Sequence, residues 1–435
     1  MDAGALKVVR ALRGAGFQAF LAGGCVRDLV LGREPVDWDV ATSAGPEEVE
    51  ALFPRTVLVG AKFGIVVAVL AEGHYEVARF RRDGPYRDGR RPASVEFADP
   101  EADALRRDFT INGMFYDPLI GELVDYVGGR RDLEQGLVRA IGDPVERFGE
   151  DYLRLLRAVR FAARLGFAIE PETFAALCAC ATRITAISAE RIRDELTRLL
   201  TEGGAVEGLQ LLHDSGLLAE VLPEVAAMRG VDQPPEFHPE GDVWTHVKLL
   251  FEHLDAPGPD LAWGTLLHDI GKPPTFAISD RIRFNSHDAV GAQMAAEICH
   301  RLRMSNDASE RICALVAQHM RIRYVKEMRP SKLKRLLRQP YFPELLELHR
   351  ADCLASHGKL DLYQFCREKL AESDEETLRP APLLTGRDLI AAGHVPGPRF
   401  KEILGRLEDA QLEGHIANRS EALDFVQQHF SPGPD

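Results

Sequence analysis

The sequence has no run approaching the roughly 20 apolar residues of a membrane span. Its first residues, Met1 to Arg13, lack the apolar stretch of a secretory signal. The seven cysteines (Cys25, Cys178, Cys180, Cys299, Cys313, Cys353 and Cys366) are odd in number and scattered, with no CxxC pair. That excludes a disulfide framework and fits free thiols in a reducing cytoplasm. A basic surplus is also missing: 53 Lys and Arg stand against 67 Asp and Glu, a formal net charge of -14. A whole-chain footprint for nucleic acid is therefore absent, and any such contact needs sorted charges. There is no internal repeat and no low-complexity tract. What is present, 45% hydrophobic residues over 435 positions, suffices for two to four domains with real cores.

The opening residues read as a helix, then the short strand Ala19–Ala22, then Gly23-Gly24. The β-branched runs Val57–Val59 and Ile65–Leu70, separated by Gly60 and Gly64, predict a hairpin, and Tyr75–Phe80 extends the sheet. The polar stretch Arg81–Pro92 predicts a loop. Short strands are expected near Leu123–Val127 and Val138–Ile141. Beyond Asp143 the pattern is helical. Gly149–Leu165 carries Leu153, Leu156, Val159 and Ala163 at helix period, and a capped helix is expected after Ser188. Val231–Gly241, with Pro234, Pro235 and Pro239, predicts a linker. The acidic, proline-containing residues 371–382 predict another boundary, and the chain is expected to fray after Ser431.

Gly23-Gly24-Cys25-Val26-Arg27-Asp28 follows a strand and opens a helix. Glycines there let a backbone approach phosphate, and a helix N-terminus favours an anion. Asp37-Trp38-Asp39 follows. On a strand, residues i and i+2 share a face, and two adjacent carboxylates repel unless a cation lies between them. Mg²⁺ suits that arrangement, taking one or two carboxylates plus substrate phosphates. This is the layout of nucleotidyl transfer.

Arg106-Arg107-Asp108-Phe109-Thr110-Ile111-Asn112 places three charges and an amide within about two helical turns. The arginines suit triphosphate and the carboxylate suits a ribose hydroxyl. In the helix expected from Glu150, Asp151 and Arg154 are three apart, hence neighbours on one face. A carboxylate that accepts and a guanidinium that donates can read a base edge. Arg157 and Arg160 continue the spacing. Each step of three turns back by about 60°, so Arg160 falls half a turn from Asp151. Arg157 is expected to reach phosphate, and Arg160 sits at the margin of the set.

Together, GGCVRD with DWD, RRDFTIN, DYVGGRRDL, EDYLRLLRAVRF and ERIRDEL make residues 20–200 resemble class II tRNA nucleotidyltransferases, the CCA-adding enzymes of the polymerase-β superfamily. Bacterial poly(A) polymerases share the first two motifs and much of the neck. The resemblance implies an α+β fold: a polymerase-β-type nucleotidyltransferase head with a small mixed sheet (1–142), a helical neck (143–232), an HD-type helical body (233–370) and a helical tail (371–435). It implies Mg²⁺ on Asp37 and Asp39. The nucleotide site it implies comprises Gly23, Gly24, Arg27, Arg107, Asp108, Asn112, Asp151, Arg154, Arg157 and Arg160. Asp151 and Arg154 would pair with the edge of CTP or ATP. Arg81–Pro92 matches the family's flexible loop, associated with the switch from C to A addition.

His246, His268-Asp269 and Asp352 form an H…HD…D pattern, with His287 and His319 between them and Gly271-Lys272 after the pair. Imidazole and carboxylate suit a divalent metal. This resembles the HD phosphohydrolase superfamily and implies a second metal site on those four residues, with hydrolytic activity. His213, His238, His253, His300, His349 and His394 read as structural.

The expected activity is Mg²⁺-dependent addition of C, C and A to the tRNA 3′ end from CTP and ATP, with release of pyrophosphate. The partner is the tRNA acceptor arm, with no membrane, in the cytoplasm. The alternatives are a poly(A) polymerase, a CC-adding or A-adding enzyme, an HD-driven phosphohydrolase, and a non-catalytic RNA-binding module. Residues 1–200 hold 27 Lys and Arg against 31 acids, and the remainder 26 against 36. The bases cluster at Arg79–Arg91, Arg154–Arg164 and Arg321–Arg338, which predicts a basic track for RNA phosphates on an acidic protein.

Overall fold

The computed structural model describes residues 1–59, 64–84 and 94–430. Most of the loop expected at Arg81–Pro92, Gly60 of the expected hairpin, and the end after Phe430 lie outside the described residues. The chain divides into two compact units, Met1–Ala226 and Ala227–Asp435.

The first unit is built on a seven-stranded mixed sheet. Its strands are β1 (Ala19–Ala22), β2 (Asp39–Thr42), β3 (Thr56–Leu58), β4 (Ile65–Val69) and β5 (His74–Arg79). A separate two-stranded ribbon, β6 (Arg81–Asp83) with β7 (Val95–Phe97), follows, and β8 (Phe115–Asp117) and β9 (Glu122–Val124) complete the sheet. The order is β3-β4-β5-β2-β1-β8-β9. The hairpin expected from the β-branched runs is β3–β4. Phe20, Phe80 and Phe115 pack together on the sheet, with Phe80 and Phe115 edge to face at 5.9 Å.

Two registers create the site. Ala22 of β1 lies opposite Asp39 of β2, so the Gly23-Gly24 turn that leaves β1 emerges beside the aspartates. Strand β2 runs parallel to β5, with Val40 opposite Val77. One residue earlier on each strand are Asp39 and Glu76, which are therefore side by side.

The rest of this unit is helical. Helix Pro144–Glu150 and helix Leu153–Leu165 are separate, which corrects the single helix expected through this segment. The chain breaks at Asp151, which takes an extended conformation (φ -146°, ψ 105°). Hydrophobic periodicity runs through the break because helix Leu153–Leu165 buries Leu155, Leu156, Val159 and Phe161 on both sides of its core stripe. Helices Pro171–Cys180, Ala189–Thr201 and Ala205–Asp214 follow.

The second unit packs helices Val243–Glu252, Pro259–Leu267, His287–Arg301, Asn306–Gln318 and Phe342–Ala355 around buried Trp263, Leu315 and Phe342. A hairpin, Phe276–Ile278 with Ile282–Phe284, is inserted after the HD turn. Helices Gly386–Ala391, Arg399–Leu412 and Arg419–His429 form their own core on Leu389, Ile403, Leu407 and Val426. Arg335 and Arg338 both reach Glu408, at 2.6 and 2.7 Å, and Lys334 donates to the Leu412 carbonyl. These members of the basic stretch Arg321–Arg338 thus fasten the tail to helix Pro330–Leu337.

Candidate active site and metal centre

Gly23 caps helix Gly24–Val30 with φ +74° and ψ -135°, a conformation that only glycine adopts readily. A Cβ there would stand 3.2 Å from Arg107 Nη1 and 3.7 Å from Asp39 Oδ2. The bare backbone at Gly23 therefore lets the guanidinium and the carboxylate close on the helix N-terminus. Asp37 is exposed just ahead of β2, and Asp39 is half-buried on it. Burial, then the neighbouring charge of Glu76, push the Asp39 carboxyl up to about 6, against the pull of Arg107. Sequence reading passed over Glu76, which alternates outward with His74 along β5 and looks like an ordinary solvent-facing strand residue. A crowded carboxylate group of this kind fits a divalent cation.

Arg106 and Arg107 are aimed by one buried acid. Asp103 accepts from Arg106 Nη2 at 2.7 Å on one oxygen and from Arg107 Nη2 at 3.0 Å on the other. Arg27 is buried and donates to Asp28 and to Asn112 Oδ1 at 2.9 Å, so two expected nucleotide contacts support each other. Asp108 accepts both Nε and Nη2 of Arg157, at 2.8 and 2.6 Å. Burial would raise the Asp108 carboxyl, but Arg157 and Arg154 outweigh it and hold it down at about 2.

The side chains of Asp151 and Arg154 each take other partners. Asp151 receives the Arg191 guanidinium as a fork, Nη1–Oδ1 3.2 Å and Nη2–Oδ2 2.7 Å, and caps the Leu153 amide. Arg154 contacts Glu150 and donates to the carbonyls of Arg147 and Arg106. Arg160 is buried, bonded to Glu195 at 2.6 Å and to Glu202 at 3.4 Å, and so braces the neck helices. Arg164 also pairs with Glu202. The cations expected to form a basic track at Arg154–Arg164 are thus compensated by acids of the same unit.

In the second unit His246, His268, Asp269 and Asp352 come together, and the structure adds His287 and His319. Asp269 Oδ2 is 3.1 Å from His268 Nε2, and its Oδ1 is 3.5 Å from His287 Nε2 and 3.7 Å from His319 Nε2. His246 Nε2 is 3.1 Å from Asp352 Oδ1. Three rings are fixed by backbone. His268, His287 and His319 direct Nδ1 at the carbonyls of Thr265, Phe284 and Val316, each 2.7–2.9 Å away. With Nδ1 protonated, each Nε2 presents a lone pair to the centre. The Nε2 atoms of His287 and His319 face each other at 3.2 Å, and His268 Nε2 is buried without a hydrogen-bond partner. Lone pairs converging on shared carboxylates fit a bound cation.

Gly271 lets the HD turn sit against the next helix, because a Cβ there would be 2.1 Å from the His287 carbonyl. Lys272 Nζ bonds Asp269 Oδ2 and Gln233 Oε1, both at 2.6 Å. Burial would raise the Asp269 carboxyl, but His268 and Lys272 hold it well below the usual carboxylate range. The centre opens into a cavity of about 520 Å³ whose wall includes Arg281, Arg283, Arg323 and Lys359.

Residues 19–139 match the family model of the poly A polymerase head domain. Residues 166–229 match a probable RNA- and SrmB-binding site of polymerase A, and 242–356 match the HD domain. The chain is 33% identical to a CCA-adding enzyme of Streptococcus gordonii over 96% of this chain and 95% of that one. It is 46% identical to that of Geobacillus kaustophilus over 51% of this chain, an alignment spanning 55% of the Geobacillus protein. The crystal structure of the Bacillus stearothermophilus CCA-adding enzyme in complex with CTP superposes with a TM-score of 0.75 at 28% identity, covering 98% of this chain and 96% of that one. No helix among the described residues is long and apolar enough to cross a membrane.

Proposed function

The chain belongs to the CCA-adding enzyme family, and from that premise we propose that it adds C, C and A without a template to the 3′ end of tRNA, using CTP and ATP and releasing pyrophosphate. The observation that carries this reading is the meeting of Asp39, Arg107 and the Gly23 turn at one strand edge. Asp37 and Asp39 would hold Mg²⁺, with Glu76 beside them. The ion, when bound, lowers the pKa of the attacking 3′-hydroxyl and neutralises charge on the leaving pyrophosphate. The chain's own residues do the rest. The Gly23 backbone and Arg107 receive the triphosphate, and Asp103 keeps Arg107 aimed at it. Asp151 and Arg154 present an acceptor and a donor to the base edge, each fixed by its own partner. Seven unpaired cysteines accord with work in the cytoplasm. Incubation of tRNA lacking its end with CTP, ATP, or both tests the reading. Two residues added from CTP alone and a third with ATP are expected. Extension by ATP alone into a long tail would make it a poly(A) polymerase instead.

A second activity is favoured by the histidine–aspartate centre. We propose that it holds a divalent metal, which His246, His268, Asp269 and Asp352 would ligate, with His287 and His319 beside Asp269. The cationic wall of its cavity suits a phosphate ester, and metal-assisted hydrolysis is the reaction class. His268→Ala should abolish phosphatase turnover and leave nucleotide addition intact. Loss of addition in that variant would contradict the separation of the two sites.

A further inference from the structure

Three of the histidines at the HD centre take their orientation from a backbone carbonyl three residues earlier. Each sits at the end of a helix or at its first residue, where carbonyls are free of the helical ladder. His246 has no such option. It lies inside helix Val243–Glu252, its amide bonded to the Asp242 carbonyl, and its ring is fully buried. Its Nδ1 instead stands 2.7 Å from Oε1 of Glu240, a residue of the proline-containing segment ahead of the helix, as a close ion-pair contact outside hydrogen-bond geometry. The same oxygen is 2.9 Å from His238 Nδ1, and the other, Oε2, is buried without a hydrogen-bond partner. Glu240 lies outside residues 242–356, which match the HD domain, so the H…HD…D pattern does not include it.

We propose that Glu240 is the positioning carboxylate of the HD metal centre: its charge beside Nδ1 of His246 holds the ring with Nε2 toward Asp352 and the metal, and makes that nitrogen a stronger ligand. A carboxylate behind a ligand histidine both fixes the tautomer and raises the donor strength of the far nitrogen. A backbone carbonyl does only the first, so His246 is the electron-rich member of the set. Glu240 thereby brings the segment 231–241 into the centre, as does Gln233 through Lys272. The inference rests on the metal reading of this centre.

The test is Co²⁺ binding by the full chain, read by titration calorimetry and by the visible ligand-field spectrum. The unaltered protein, His268→Ala, Glu240→Ala and Glu240→Gln are compared. Glu240→Ala should weaken Co²⁺ binding about 10- to 100-fold and shift the spectrum. Glu240→Gln, whose amide oxygen still stands beside Nδ1, should lose less and keep His246 in the same tautomer by nitrogen NMR of the metal-free protein. Should Glu240→Ala fail to fold, the Gln variant and its NMR carry the test. Co²⁺ affinity and spectrum equal to the unaltered chain in the folded Glu240 variants would overturn the role of Glu240 alone. Absence of Co²⁺ binding by the unaltered chain, indistinguishable from His268→Ala, would overturn the metal reading and this inference with it.

Discussion

Asp151 is gripped by Arg191 from a helix 40 positions further along the chain, through two guanidinium bonds, while Arg154, its neighbour in sequence, looks elsewhere. The grip matters because Asp151 sits in an extended break between two helices, tied to the second only by the Leu153 and Arg154 amides that it accepts. A planar guanidinium fork fixes both carboxylate oxygens at once. Arg191→Ala should therefore cut kcat/KM for CTP and ATP by about 10- to 100-fold with tRNA affinity little changed. Arg191→Lys should recover only part, because an ammonium cannot supply the fork. Steady-state addition with each nucleotide checks this, and unaltered kcat/KM in the Ala variant would refute the role given to the pair.

Asp108 and Arg157 join the RRDFTIN segment to the neck helix. The Asp108 carboxyl titrates at about 2 in the folded chain against 3.8 for the free group. A depressed folded value means that the stabilisation is fully present above about pH 4 and is lost as pH falls toward 2. It amounts to about 2 kcal/mol. Asp108→Asn should lower stability at pH 7 by about that much and flatten the acid limb between pH 4 and 2. Urea unfolding across that range measures both, and an unchanged limb would mean other carboxylates set it.

Much of this was legible in sequence because the relevant spacings are short. Gly23-Gly24, the aspartates two apart and His268-Asp269 each carry their chemistry within a few residues, and local rules for turns and strands suffice. What was not legible is set by distance or by ambiguity of period. Nothing near Asp151 announces Arg191. The apolar spacing through Gly149–Leu165 is the same for one helix as for two with a break. Glu76 alternates like any exposed strand residue, and only the parallel register of β2 and β5 makes it a neighbour of Asp39. Glu240 sits in a stretch whose prolines say linker. Arg160 keeps the spacing of its neighbours, and only the packing of the neck helices shows that it is buried against Glu195.

Gly23 tests whether the phosphate turn needs its bare backbone. Alanine there would meet a strained φ, costing about 1–3 kcal/mol, and a Cβ 3.2 Å from Arg107 Nη1. Either the turn or Arg107 must shift, and a displacement near 1 Å at a reacting centre costs about 100-fold in rate. Gly23→Ala is expected to lose nucleotide addition by about that factor while Co²⁺ binding at the HD centre is retained. Full addition by this variant would show that the turn tolerates a side chain and does not approach phosphate.

Glu76 poses the sharpest question about the carboxylate edge, because its charge can act in two opposite ways. If it merely repels Asp39, neutralising it relieves the crowding, Asp39 ionises more easily, and less Mg²⁺ is needed for half-maximal addition. If it shares the ion, neutralising it removes a ligand and more Mg²⁺ is needed. The register favours the second. Asp39 and Glu76 occupy matching positions on adjacent parallel strands, so both project from the same face of the sheet at the edge where the Gly23 turn emerges. A carboxylate that only opposed its neighbour could be an alanine at no cost to the strand, whereas one that helps hold a cation must stay acidic. Glu76→Gln should raise the Mg²⁺ midpoint about tenfold and leave the unfolding transition where it was. A midpoint that falls instead would assign Glu76 to repulsion alone and leave Asp37 and Asp39 as the whole metal set.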